Sequence, residues 1–297
     1  MKKRKGLTLS QRRDRIGYVF ILPWIIGFIF LFMVPAVQSL MYSFSNVNVT
    51  ANGMKLDFIG FDNFIKAFTQ DAEFPRELVN SIGTMIYEVP IIAFFSMFIA
   101  GMLNQKFKGR TAARILFFLP VIIASGATIE ILTQGGMSTS VSGGTSIYMS
   151  YDNALFDMLM NAGFNMQLVD YLTAIVSKIF DITWKSGIQI LLYLSALQGI
   201  PSSYYEVSSL EGATAWEEFW KITFPLLSPM TLVCVIYSII DSFTDYQNTV
   251  MQLVDKSYKA LNYGYSAAQA WVYFLLIFII IGLVNKLIFR NTVYTEE

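Results

Sequence analysis

Residues 199–225 read Gly-Ile-Pro-Ser-Ser-Tyr-Tyr-Glu-Val-Ser-Ser-Leu-Glu-Gly-Ala-Thr-Ala-Trp-Glu-Glu-Phe-Trp-Lys-Ile-Thr-Phe-Pro, a polar interruption between two apolar runs. The stretch predicts two short helices hinged on Gly212. Ser203 stands three residues before Glu206 and Thr214 three before Glu217. That is the spacing at which a hydroxyl and a carboxylate satisfy the unpaired amides that open a helix. Gly212 falls where the first helix must stop, because a residue without Cβ takes the left-handed conformation at little cost. Pro225 and Pro229 mark the start of the next apolar run.

The chain around this stretch belongs in a bilayer. Its 297 residues are 55% hydrophobic and 15% aromatic, more apolar than soluble domains. Six segments, about 16–44, 81–103, 112–132, 179–197, 226–250 and 268–289, are long enough to cross about 30 Å of hydrocarbon. Helices are expected, since open strands in lipid leave backbone amides unsatisfied. Residues 1–15 form a basic tail and residues 16–297 the transmembrane domain, whose first segment is expected to be an uncleaved anchor. Lys and Arg number seven in the tail, four between Gln105 and Arg114 and none between Gly135 and Asp170. This asymmetry is expected to place both termini in the cytoplasm, and the parity of the spans puts the 199–225 loop on the same side.

Formal net charge is zero, without the concentrated basic face that nucleic acid requires. There is no histidine and one cysteine, Cys234, which excludes an internal disulfide and removes the commonest metal ligand and proton shuttle. No metal site and no catalytic residues are expected. No Gly-x-x-x-x-Gly-Lys-Ser/Thr phosphate loop occurs, so the chain does not split a nucleoside triphosphate in the P-loop manner and energy for any pumping must come from elsewhere.

Glu206, Gly212, Ala213, Ile222 and Pro225 stand at the spacing Glu-Ala-Ala, three residues, Gly, nine residues, Ile, two residues, Pro. This pattern resembles the cytoplasmic signature loop of permease subunits in binding-protein-dependent ABC importers. Leu197-Gln198-Gly199-Ile200-Pro201 is similar to the sugar-transporting branch that includes the maltose permeases. Val207 and Ser208 replace the two alanines, and Glu211 the usual aspartate. The resemblance implies an all-α type I importer permease with six transmembrane helices. It implies a coupling helix, formed by Ser203, Tyr205, Glu206, Glu211, Gly212, Ala213, Trp216, Ile222 and Pro225, seated in an ATPase subunit. The implied partners are a second permease subunit in a heterodimer, two ATPase subunits carrying ATP and magnesium, an extracytoplasmic solute-binding protein and the lipid bilayer. No cofactor is implied on this chain.

Capping alone accounts for Ser203, Glu206, Thr214 and Glu217, but not for Tyr204, Tyr205, Trp216, Phe219 and Trp220. Such crowded aromatics mark either an interface or a membrane-surface belt. Inside the apolar segments, Lys185 lies fifteen residues before Ile200 and Asp241 fifteen after Leu226. At 1.5 Å per residue both sit about 22 Å from the cytoplasmic ends, at similar depth. Asp241, Asp245 and Asn248 are expected on one helix stripe. With Trp184, Gln189, Ser242 and Tyr246 they form a candidate sugar lining, since hydroxyls need donors and acceptors and a pyranose face stacks on aromatic rings. A Lys185 pair with Asp241 or Asp245 that only joins helices fits equally. Glu88 and Glu130 line the path or sit near its outer end.

Two further segments stand out. Residues 46–80 are expected to hold an amphipathic interfacial helix. The Gly/Ser-led, Met-rich loop 135–170 is expected to be either a helix resting on the bundle or a docking surface for an external protein. The function expected is import of a carbohydrate, an oligosaccharide foremost, by alternating access. A glycerol-phosphate-like solute and an ion-gradient-driven secondary transporter are the alternatives.

Overall fold

The computed structural model describes residues 9–50, 53–124, 156–245 and 248–289. Helix α1 (Leu9–Phe28) runs through a π turn (Ile29–Met33) into α2 (Val34–Ser43). A second π turn, Phe219–Thr223, lies later in the chain. Each stands two residues before a proline, Pro35 and Pro225. Proline has no N–H and its ring presses on the carbonyl four residues back, so the turn widens instead of breaking.

Strands β1 (Ser45–Thr50) and β2 (Gly53–Phe58) follow, antiparallel, with Ser45 opposite Phe58 and Val47 opposite Leu56. This hairpin is an exception to the all-α expectation and takes the first part of the 46–80 segment, ahead of its amphipathic helix. The physical reason is a period-two pattern. Val47, Leu56 and Phe58 share one face, while Asn46, Asn48, Lys55 and Asp57 share the other. Only the eight-residue α3 (Asp62–Thr69) is helical before α4 (Glu73–Asn104).

Then come α5 (Arg110–Ala124), a helical turn at 156–161, α6 (Met166–Lys185), α7 (Gly187–Gly199), α8 (Ser202–Leu210), α9 (Ala215–Glu218), α10 (Ser228–Thr244), α11 (Thr249–Lys259) and α12 (Tyr263–Phe289). Among the described residues, Phe20–Ser43, Glu73–Asn104 and Tyr263–Ile288 are long and apolar enough to cross a membrane, and the bent pair Ala215–Leu226 with Ser228–Lys259 makes up to a fourth. The segment expected at 179–197 falls on α6 and α7, which meet at Ser186. The one expected at 226–250 falls on α10 and the start of α11. The segment 112–132 is described as far as Ala124; Glu130 and most of the 135–170 loop lie outside the described residues.

The chain divides into two compact units, residues 1–79 with 249–276, and residues 80–248 with 277–297. In the first, Asn63 on α3 donates from Nδ2 to the carbonyls of Ser43 (3.0 Å) and Ser45 (3.1 Å). Gly264 packs so closely here that a Cβ would strike the Ser45 carbonyl oxygen. Asp71 opens α4, accepting from the amides of Glu73 (2.9 Å) and Phe74 (3.1 Å) and from Tyr265 Oη (2.6 Å).

The second unit holds an apolar core. Ile190, Tyr193, Leu194 and Leu197 recur at helical spacing on α7 and pack with Met97, Ala100 and Leu103 of α4 and with Leu227 and Cys234. Lipid is as apolar as leucine, so close packing and interhelical hydrogen bonds, not dehydration, hold such a seam. The Gln189–Ser238 bond at 2.9 Å between α7 and α10 is of this kind, contributing about 1 kcal/mol.

Candidate functional site

Two polar constructions break the apolar pattern, both in the second unit. The first is the knuckle formed by residues 199–225. Helix α8 opens on Pro201, which holds φ −59° and ψ 137° at the N-cap with no side-chain cap. The expected Ser203 cap is therefore not formed. Proline fixes the turn two residues earlier than the Ser203 cap requires, leaving Ser203 inside the first helical turn. The C-terminus closes as expected, with Gly212 at φ 75°. The Ala213 amide donates to the Ser208 carbonyl (3.0 Å) and the Gly212 amide to that of Ser209 (3.2 Å), the paired bonds of a glycine-terminated helix.

Thr214 then opens α9 with a full capping box. Its hydroxyl accepts from the Glu217 amide (3.4 Å), and its own amide donates to Glu217 Oε2 (3.0 Å). The Thr214 amide, then its hydroxyl, then Lys221 Nζ at 3.3 Å hold the Glu217 carboxyl below the usual carboxylate range.

Two longer bonds join the halves. Tyr205 Oη lies 3.2 Å from Thr223 Oγ1, and the Ser208 hydroxyl donates to Glu218 Oε1 at 2.6 Å. Neither was legible in the sequence, since no local spacing pairs residues ten and eighteen apart. Tyr205 and Phe219 are thus corrected from exposed aromatics to internal ones: Tyr205 is half-buried and Phe219 packs on the core of the unit. What projects is Val207, Leu210 at 87% exposure and Trp216 at 70%, with Trp216 edge-on to Trp220 at 5.6 Å. The exposed carboxylates of Glu206 and Glu211 make no hydrogen bond or ion pair among the described residues.

The second construction centres on Lys185, the last residue of α6. Its Nζ lies 3.2 Å from Glu88 Oε1, 3.2 Å from Asp245 Oδ2 and 3.4 Å from Asp181 Oδ2. One ammonium thus serves three carboxylates from three separate segments, α4, α6 and the end of α10. Depth matching sets Lys185 level with Asp241, yet among the described residues its ion pair on this side is with Asp245, the alternative partner. Helix α10 stops at Thr244, and Asp245 turns to ψ 132°, so the expected stripe of Asp241, Asp245 and Asn248 is broken. Asn248 instead donates to Ser81 Oγ (2.9 Å) and to the carbonyl of Ser242 (3.1 Å).

Trp184 faces Phe180 with ring centroids 5.7 Å apart. Gln189, expected in the lining, is fully buried against Ser238 and serves the α7–α10 seam. Tyr246 lies outside the described residues. Asp181 was missed, although its i,i+4 spacing to Lys185 was the available signal. Among the described residues no group of three or more His, Cys, Asp or Glu side chains is arranged to hold a metal ion.

No protein-family model matches the chain. It is 29% identical over 315 residues to the probable ABC transporter permease protein YesP of Bacillus subtilis (strain 168), covering 99% of this chain and 94% of that protein. It is 30% identical over 258 residues to the lactose transport system permease protein LacF of Rhizobium radiobacter, covering 84% and 78% of the two chains. Its fold is similar to a chain in the crystal structure of a bacterial ABC transporter that imports the acidic polysaccharide alginate, with a TM-score of 0.64, 21% identity and 94% and 96% coverage.

Proposed function

The chain belongs to the permease subunits of sugar ABC transporters, and from that premise we propose that it carries a neutral oligosaccharide across the cytoplasmic membrane by alternating access. Family membership sets aside the ion-gradient alternative. In this reading the chain crosses the membrane six times with both termini inside. It pairs with a second, different permease subunit and receives solute from an extracytoplasmic binding protein. Two ATPase subunits hold ATP and magnesium and supply the stroke.

The observation that carries the reading is the knuckle. A loop whose helices are closed by a glycine turn and a capping box, then tied together by Tyr205–Thr223 and Ser208–Glu218, is a stiff lever. Its outward Val207, Leu210 and Trp216 supply an apolar docking face. Glu206, whose carboxylate has no partner among the described residues, offers it to a basic group on the ATPase. A rigid lever passes movement of its docked partner to the helices at either end, which slack chain would absorb.

The Lys185 cluster supports a neutral solute. Its ammonium is shared among three carboxylates, so it offers no spare cation to a phosphate, which favours a sugar over a glycerol-phosphate-like solute. Trp184 and the carboxylates of Asp181, Asp241 and Asp245 give a stacking ring and acceptors for hydroxyls. Purification of the complex tests the reading: wild-type chain should bring an ATPase subunit with it, and Glu206→Gln should weaken that association. Transport by the chain alone, without any ATPase, overturns it.

A further inference from the structure

Helix α3 has one face built into the protein and one left bare. Asn63 and Ala67 are buried, and Asn63 is bonded to the Ser43 and Ser45 carbonyls. Phe61, Ile65 and Phe68, spaced four and three residues apart, are 67%, 54% and 53% exposed. No charged residue stands in that stripe. Asp62 and Lys66 flank it, and the Lys66 ammonium is turned onto the Tyr265 ring, 4.6 Å from its centroid.

The place of α3 along the chain decides what covers this face. Asn63 clamps it to the end of α2, and the apolar stretch Phe20–Ser43 ends at that same residue. Phe44 continues the apolar surface into α3, with ring centroids 5.2 Å from Phe61 and 5.1 Å from Phe64. The bare stripe therefore stands at the end of that apolar stretch and joins its exposed apolar surface. Aromatic and aliphatic side chains on a short amphipathic helix partition to the boundary between hydrocarbon and headgroups.

We propose that the Phe61–Ile65–Phe68 stripe is a membrane-surface anchor, lying in the headgroup–acyl boundary of the leaflet at the Ser43 end of α2. Its consequence is positional. Asp71, two residues beyond α3, caps α4 and accepts the Tyr265 hydroxyl of α12. Anchoring α3 thereby sets the ends of α2, α4 and α12 in this unit at one depth.

The test is a nitroxide scan. Cys234, the sole cysteine, is replaced by alanine, and single cysteines are placed in turn at positions 61–69 of the full chain. The protein is reconstituted in vesicles of equal parts phosphatidylethanolamine and phosphatidylglycerol. Accessibility to oxygen, which concentrates in lipid, should exceed accessibility to a water-soluble nickel chelate several-fold at 61, 65 and 68. The order should reverse at 62, 66 and 69. Nickel accessibility at 61, 65 and 68 would show the stripe facing water, and protection from both reagents would show a protein covering it; either overturns the anchor. Should the cysteine-free chain fail to fold, Ile65→Trp and Phe68→Trp in the native background give a second readout. Brominated lipid should then quench the added fluorescence, and its failure to do so has the same force.

Discussion

The knuckle at 199–225 and the cluster around Lys185 are both polar intrusions into an apolar chain, yet they are assembled over different distances. Most of the knuckle is made within five residues: the Gly212 turn, the Thr214–Glu217 box and the Glu217–Lys221 pair. The cluster draws Glu88 to Lys185 across 97 residues of sequence. Short-range bonds specify a shape whatever the rest of the chain does. Long-range ion pairs exist only once helices have packed, so they report on the arrangement of the bundle. A lever and a responsive interior call for those two kinds of construction.

The sharpest way to break this contrast is Lys185→Met, which leaves Glu88, Asp181 and Asp245 facing one another without a cation. Removing one member of a largely buried ionic network costs about 3 kcal/mol. Thermal unfolding of the detergent-solubilised complex should fall markedly and recover in part when Glu88→Gln is added. An unchanged midpoint would show that the network does not hold the bundle together.

Gly212→Val ranks next. A β-branched residue at φ 75° costs about 1–2 kcal/mol and undoes the paired bonds that end α8. ATPase association and coupled transport should drop by about tenfold, the ratio to which that energy corresponds, with little change in global unfolding. Global destabilisation would instead make the knuckle part of the core.

Thr214→Ala removes the cap from α9 and costs about 1 kcal/mol. Amide exchange at residues 215–218 should quicken about fivefold, while exchange in α7 should not change. Equal quickening in α7 would deny the knuckle its local character.

The smallest expected effect lies in the other compact unit. Burial opposes the charge on Asp71, but bonds from Tyr265 and from the Phe74 and Glu73 amides outweigh it and hold its carboxyl below the ordinary 3.8. A value lowered on folding adds stability that is fully present above the unfolded value and is lost as pH falls through the folded one. Wild type should therefore exceed Asp71→Asn in thermal midpoint by a constant margin down to about pH 5. The margin should narrow only below about pH 4. A margin that does not vary with pH would assign the effect to packing.

The same division explains what the sequence disclosed. Gly212, Thr214 and Glu217 were legible because glycine and capping chemistry act over a few residues. Ser203 was misread because Pro201 sets the start of α8 first. The hairpin is hard to read because its alternation lies beside an apolar and aromatic stretch that also suits an interfacial helix. Lys185 stands out as an ionisable residue inside an apolar run, but its depth points to Asp241, whereas the ion pair is with Asp245. Glu88 had no local signal at all, and the break at Asp245 removed the helical geometry on which the Asp241 pairing depended.

The central claim is that the outward face of the knuckle is occupied by a separate ATPase. It is tested most directly by placing a cysteine at Leu210, the most exposed side chain of that face, in a Cys234→Ala chain within the assembled transporter. A short bifunctional thiol reagent should join Leu210→Cys to the ATPase subunit and to nothing else, and nucleotide should change the yield. Labelling of the same cysteine by a membrane-impermeant reagent added outside sealed cells, with no product containing the ATPase, would contradict the account.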